Sequence, residues 1–173
     1  MHNTRLMVRT AQLTALALVF QSLRFVLPLP PLASTLFIGV LVNTTLLVAA
    51  VSAGVWPAVT IAIIAPVVAY LQQHLLFPVF IPFIAAGNCI FVVLYTAFFR
   101  RGWPWLAGIT AATGKTAFLY CSFMWLLSGR HFLSLPPAIA APILMLMGWP
   151  QLVAALGGAF LVLIIVRRLP AGF

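Results

Sequence analysis

Long apolar stretches, separated by short polar or proline- and glycine-containing breaks, run through almost the whole chain. Cutting the sequence at these breaks gives six apolar segments, approximately 10–28, 33–53, 55–73, 77–99, 103–128 and 147–167. Each approaches or exceeds the roughly 17 residues that a tilted helix needs to cross the hydrocarbon core of a bilayer. The pattern therefore predicts an all-α fold, an integral membrane bundle of six transmembrane helices that forms a single membrane domain, 1–173.

One further apolar stretch, 131–147, does not fit a span because Pro136, Pro137 and Pro142 interrupt it. Proline lacks the N–H group that a helix interior requires, and its ring clashes with the preceding turn. Irregular backbone at membrane depth is tolerated only where protein buries it or where it lines a cavity. We therefore expect an irregular outer loop before the last helix, placed to cover something beneath it.

The basic residues indicate how the bundle is oriented. Three pairs flank the apolar segments: Arg5 and Arg9, Arg100 and Arg101, and Arg167 and Arg168. With six spans these pairs lie on one side, whereas the opposite side carries only Arg130 and Arg24. Because cytoplasmic loops are enriched in Lys and Arg, both termini are predicted to be cytoplasmic. The chain is expected to be a multi-pass protein of the cell inner (plasma) membrane.

Composition narrows the chemistry. The chain is 65% hydrophobic and has a formal net charge of +9, with no Asp or Glu. In a soluble protein such a charge would suggest nucleic acid, but here the charges flank apolar segments, so we expect membrane lipid and no nucleic acid as partner. Without side-chain carboxylates the chain cannot relay protons through them or hold a metal ion with them. We therefore expect no metal site, no cofactor and no enzymatic activity.

The sequence Gly114-Lys115-Thr116 resembles the end of a phosphate-binding P-loop, but the spacing is wrong. Gly108 precedes Gly114 by five intervening residues, where a P-loop has four. No predicted strand leads into it, and no Asp is present to complete a magnesium site. The sequence therefore does not predict nucleotide hydrolysis by this chain.

Lys115 is instead expected near the middle of the fifth span, where an ionisable group costs roughly 2.5–3.5 kcal/mol. A cost of this size favours a lysine that faces an internal cavity. The alternative is a lysine that extends to an interface or is satisfied by helix carbonyls.

Other polar residues fall at comparable depths in other spans and complete a predicted polar pocket in the outer half of the bundle. The substrate-binding candidates are Lys115, Asn88, Asn43, Arg24 and Gln21, with Tyr120 among the aromatic residues available near the outer side. Buried Asn also serves as a hydrogen-bonding contact between helices, and an arginine also serves as an interface anchor. The segment from Gln72 to His74 is expected to be a solvated turn. Because the titratable groups of the pocket are bases, it should attract a carboxylate, a phosphate or a neutral polar compound.

Small residues at a spacing of four form a second pattern, which allows helices to approach closely. Most copies are explained by packing inside the bundle. Ala11 and Ala15, near the cytoplasmic end of the first helix, are well placed to dock a separate protein.

Taken together, these features resemble the substrate-binding S components of energy-coupling factor (ECF) vitamin transporters. The resemblance covers nearly the whole chain, including the basic start that runs into Arg9-Thr10-Ala11-Gln12-Leu13-Thr14-Ala15 and the closing Arg167-Arg168. Its most specific element is Ala11-x-x-x-Ala15, because in that family an Ala-x-x-x-Ala motif on the first helix contacts the transmembrane T component. The resemblance implies capture of a vitamin or related micronutrient from outside, with a T component and two cytosolic ATPases as partners.

In that family the pocket is formed on the extracellular side by the later helices and capped by outer loops, which suits Asn88, Lys115 and the segment 131–147. The missing carboxylates argue against a thiamine-like cation and favour pantothenate-, biotin- or folate-like anions or neutral compounds. Two other functions stay open. A proton-coupled secondary transporter ordinarily needs a carboxylate near the midplane, and a structural membrane scaffold gains little from a midplane lysine.

Overall fold

Seven α-helices account for the regular structure in the part of the chain that the computed structural model describes, residues 2–27, 29–128 and 135–168. They are α1 (His2–Val26), α2 (Pro31–Ser52), α3 (Val55–Leu71), α4 (Phe80–Phe99), α5 (Pro104–Leu127), α6 (Pro137–Met147) and α7 (Trp149–Arg168). These residues contain no β-strand. The predicted all-α fold is confirmed for them.

Several of these helices are long and apolar enough to cross a bilayer. The segments that meet both conditions are Thr4–Val26, Pro31–Ser52, Phe80–Phe99 and the consecutive α6 and α7, Pro137–Arg168. Val55–Leu71 is equally apolar but shorter, at 17 residues, and α5 has 24 residues, among them Lys115. The helices are therefore compatible with a multi-pass membrane protein.

The prediction of an irregular loop before the last helix is wrong for Pro137–Met147, which forms α6. Pro137 occupies the first turn, where an N–H group would have no partner within the helix. Pro142 removes only one backbone hydrogen bond, and most of the other residues of α6 are Ala, Leu, Met and Ile, which tolerate or favour a helix. Arg130 and the rest of 129–134 lie outside the described residues.

Contacts between helices define their relative directions. Along α2 and α7, Gly39 faces Ala154 and Asn43 faces Gly158, so these two helices run parallel. Between α4 and α5 the pairing is reversed, because Gly87 faces Leu119 whereas Gly114 faces Leu94. Arg9 Nη1, in the first half of α1, donates a hydrogen bond of 3.5 Å to the Ser52 carbonyl oxygen at the end of α2. One end of the bundle thus collects the starts of α1, α3 and α5 and the ends of α2, α4 and α7.

This arrangement places most of the described arginines at a single end of the bundle, which we call the arginine end. It carries Arg5, Arg9, Arg100, Arg101, Arg167 and Arg168. Of the arginines in the described part of the chain, only Arg24 lies toward the opposite end, at the last turn of α1.

Small residues let α7 pack directly against the backbone of α2. A methyl group added at Gly158 would lie 2.7 Å from Asn43 Cβ and 3.0 Å from the Thr44 backbone nitrogen. Both distances are shorter than van der Waals contact, so only glycine fits at this point without a backbone shift. Close packing of α2 and α7 therefore depends on the absence of a side chain at Gly158.

We predict that Gly158→Ala destabilises the protein by about 1–3 kcal/mol, the usual cost of overpacking. Gly157→Ala is the matched control, because it makes the same change in helix propensity one residue earlier. Its added methyl group would meet only side-chain atoms of Val40, which are 2.8 Å away at the closest. Unfolding in detergent should show the larger loss for Gly158→Ala; equal losses would contradict the proposed backbone contact.

Candidate functional site

A cavity of about 190 Å³ lies at the end of the bundle opposite the arginine end. It is enclosed by the late part of α1 and α3, the early part of α2, α4 and α7, the middle of α5, the end of α6 and the turn after α3. Its polar lining residues are Gln21, Arg24, Thr35, Asn43, His74, Asn88, Lys115 and Gln151, and the remaining lining residues are apolar or glycine.

The cavity brings together most of the substrate-binding candidates, although four different helices supply them. Lys115, Asn88, Asn43, Arg24 and Gln21 all line it. The structure does not bring Tyr120 to this cavity, and its side chain is 39% exposed. Tyr120 lies five positions after Lys115 on α5. This spacing places the Tyr120 side chain about 140° around the helix from the Lys115 side chain. Tyr120 therefore faces away from the cavity.

Lys115 forms the inner end of the cavity. Its side chain is 4% exposed, and Nζ donates a 2.7 Å hydrogen bond to Asn43 Oδ1. The same nitrogen lies 5.1 Å from the centroid of the Phe91 ring, within the range of a cation–π contact. An ammonium group has three donors, so hydrogen bonds remain available for a ligand.

Asn43 is held firmly in place to accept this hydrogen bond. It is 2% exposed, and its backbone and Cβ pack against Gly158 of α7. The neighbouring Thr44 does not line the cavity. Its hydroxyl donates a hydrogen bond of 2.7 Å to the Val40 carbonyl oxygen. Because Asn43 Oδ1 is engaged by Lys115, its amide nitrogen is the group left to donate to a ligand.

Gln21 ties α1 to α3 at the side of the cavity. Its Nε2 donates to the Ala65 carbonyl oxygen at 3.1 Å and to Gln72 Oε1 at 3.3 Å. Gln72 Nε2 in turn donates a hydrogen bond of 2.9 Å to Ser22 Oγ. Gln72 was expected in a solvated turn, but it is half-buried and positions this wall.

Arg24 and His74 lie together at the outer part of the cavity. Arg24 Nε and His74 Nε2 are both buried without a hydrogen-bond partner, and the His74 ring lies 5.1 Å from the ring of Phe25. Burial, and then the positive charge of Arg24, lower the pKa of His74 from its usual value. The segment forms the expected turn, but His74 is only partly exposed and lines the cavity.

Sequence reasoning missed His74, Thr35 and Gln151 as lining residues. The available signal was their position along the chain. Thr35 and Gln151 stand within the first five residues of apolar helices that begin at the outer end, and His74 follows the end of α3. A polar residue at that level belongs to the same layer as Arg24.

The cavity is electropositive and offers few other chemistries. Its titratable groups are Lys115, Arg24 and His74, and the sequence contains no Asp or Glu to neutralise them. The described residues contain no group of three or more His, Cys, Asp or Glu placed to hold a metal ion. The arrangement is suited to non-covalent binding of an anionic or strongly hydrogen-bonding ligand.

A second, apolar depression of about 710 Å³ lies outside the bundle near the arginine end, between the first halves of α1 and α3. We call it the α1–α3 groove; its lining residues are Leu6, Met7, Thr10, Ala11, Thr14, Ala15, Leu18, Trp56, Pro57 and Thr60. Ala11 and Ala15 are both exposed, and Trp56 is 81% exposed at the rim.

No protein-family model matches the chain, and no curated protein or solved structure matches it. The function is therefore argued from the cavity, the groove and the distribution of charge.

We predict that Asn43→Leu destabilises the protein by about 1–3 kcal/mol, because it leaves the buried Lys115 amine without its acceptor. Lys115→Met should cost less, since an apolar chain of similar length replaces a buried polar group. The double variant should be more stable than Asn43→Leu alone. Unfolding of all four proteins in one detergent gives the coupling energy, and additive effects would show that the 2.7 Å contact contributes nothing.

Proposed function

We propose that this chain is the substrate-capture subunit of an ATP-driven ECF-type importer for a vitamin or related micronutrient. The observation that carries the proposal is the convergence of Lys115, Asn43, Asn88, Arg24 and Gln21 on one cavity, opposite the arginine end. By the positive-inside rule, the arginine end faces the cytoplasm and the cavity faces outward. In this proposal the protein spans the cell inner membrane with both termini in the cytoplasm.

Capture is non-covalent. Lys115 pairs with an acidic group of the ligand, while the amide nitrogens of Asn43 and Asn88 donate hydrogen bonds. Because these groups are 6% exposed or less, water screens the pairing only weakly, which strengthens it. Leu146 and Met147, at the end of α6, belong to the wall and help to exclude solvent.

The size of the cavity narrows the substrate class. Its volume of about 190 Å³ is below the roughly 300–1,000 Å³ of typical drug-sized ligand pockets. A pantothenate- or biotin-like acid suits this space better than a folate-like compound, which carries a fused ring, a phenyl ring and an amino-acid tail. A small neutral polar compound also suits it.

The partners in this proposal are a transmembrane T component and two cytosolic ATPases, which supply the energy. The α1–α3 groove supports docking of the T component, because it is apolar and exposes Ala11 and Ala15 at a spacing that allows a second helix to approach closely. This chain binds the substrate, and its partners hydrolyse ATP.

We predict that the gently purified protein carries a small acidic or neutral molecule detectable by native mass spectrometry, and that Lys115→Met loses it. The matched control is Thr113→Val, an exposed position on the same helix. The control should retain the molecule at the wild-type level. The proposal fails if wild-type protein carries and binds no small molecule, or if Lys115→Met binds as well as wild type.

We also predict that Ala11→Leu and Ala15→Leu prevent co-purification with a co-expressed T component, because the larger side chains keep the partner helix at a distance. Ligand content should not change, since neither residue lines the cavity. Ala117→Leu, an exposed alanine on α5, is the control and should co-purify normally. Equal co-purification of all three variants would exclude the α1–α3 groove as the docking surface.

A further inference from the structure

Arg24 is a partly buried cation for which the sequence offers no counter-ion. Its Nε is buried without a hydrogen-bond partner, and the sequence holds no Asp or Glu that could approach it. A buried donor without an acceptor costs free energy, and a charged one costs more. An arginine that only anchored the protein at the membrane surface would point toward the headgroups, whereas Arg24 lines the cavity.

His74 lies beside Arg24 and also has a ring nitrogen without a hydrogen-bond partner. This nitrogen, Nε2, is buried, and the two residues are close enough for the charge of Arg24 to act on the imidazole. Two neighbouring nitrogens, both without a hydrogen-bond partner and both on the cavity wall, form a place where an acidic group could bind the Arg24 guanidinium and the His74 imidazole together.

This place is well separated from Lys115. Thr35 and Asn43 both line the cavity and lie eight residues apart on α2, which corresponds to about 12 Å along the helix axis. Lys115 is bonded to Asn43 at the inner level. Arg24, in the last turn of α1, lies at the outer level near the start of α2.

The wall between these levels is apolar on the α2 side, whereas Gln21 of α1 and Asn88 of α4 add polar groups to the rest of the cavity lining. Ile38 and Val42 lie between Thr35 and Asn43 on α2, and Ile84 of α4 also lines the cavity. The cavity therefore has a base at each end and a mixed apolar and polar wall between them.

We propose that Arg24 and His74 form a second anion-binding position, so that the ligand captured by this cavity is a small compound with an acidic group at each end. This inference rests on the proposed function and adds the second acidic group to the substrate. One acidic group binds Lys115, and the other accepts hydrogen bonds from the Arg24 guanidinium and the His74 imidazole.

The test compares straight-chain diacids with their own monoamides, which keep the length and lose one charge. Binding of adipate, pimelate and suberate, and of the three monoamides, is measured by titration calorimetry on the purified full-length chain and on Arg24→Gln. We expect at least one diacid to bind wild type about tenfold or more tightly than its monoamide, the effect of one charge-assisted contact. Arg24→Gln should lower diacid affinity to the monoamide level and leave monoamide affinity unchanged.

Arg24→Lys is the second variant, because it restores the charge without the planar guanidinium and should recover part of the preference. Equal affinities of wild type for diacids and monoamides, or an unchanged ratio in Arg24→Gln, would overturn the second position while leaving anion capture by Lys115 intact. Binding of neither series by wild type would overturn the anionic reading of the proposed function itself, and this inference with it.

The pH dependence provides an independent readout. Arg24 and Lys115 are the charged groups that share the cavity with His74, and burial together with Arg24 lowers the pKa of His74 in the empty protein. An acidic group bound beside His74 raises that pKa, so binding takes up a proton. Diacid affinity should therefore rise as the pH falls from about 8 to about 6. In His74→Gln this rise should be smaller than in wild type, and an equal rise in the two proteins would show that His74 does not contact the second acidic group.

Discussion

Every buried base in this protein has to be stabilised without a carboxylate side chain, and the structure around the cavity follows from that constraint. Lys115 is stabilised by the amide oxygen of Asn43 and the face of the Phe91 ring. A neutral amide offsets only part of the cost of burying an ammonium group. The site therefore retains uncompensated positive charge, and in the proposed function that charge attracts the ligand.

The packing of α2 against α7 supports this site from behind. Gly158 permits the two backbones to approach closely at Asn43, and the Lys115 hydrogen bond holds the Asn43 amide oxygen. Ala154 and Gly39 extend the same close contact along the two helices. In the proposed function, an amide already held in this way lowers the conformational cost of binding.

Apolar length and depth of polar residues are properties of local sequence, so the helices and the convergence of Lys115, Asn43 and Asn88 could be predicted. Three features were not predicted, and only the last of them needed information that local sequence lacks. The helical state of α6 depended on where its prolines fall relative to the first turn. The outward position of Tyr120 depended on rotation around α5. The burial of His74 depended on how the turn after α3 folds over the end of α1.

Helix α1 is one uninterrupted element of 25 residues, about 37 Å long, and it participates in both surfaces described above. Ala15, in the α1–α3 groove, and Gln21, in the cavity wall, are only six residues apart on it, or about 9 Å. The Gln21 and Gln72 hydrogen bonds fix the rotation of α1 relative to α3 on the cavity side. Rotation of α1 about its axis would turn the face with Ala11 and Ala15 and the face with Gln21 and Arg24 together. This helix therefore couples the α1–α3 groove to the cavity wall.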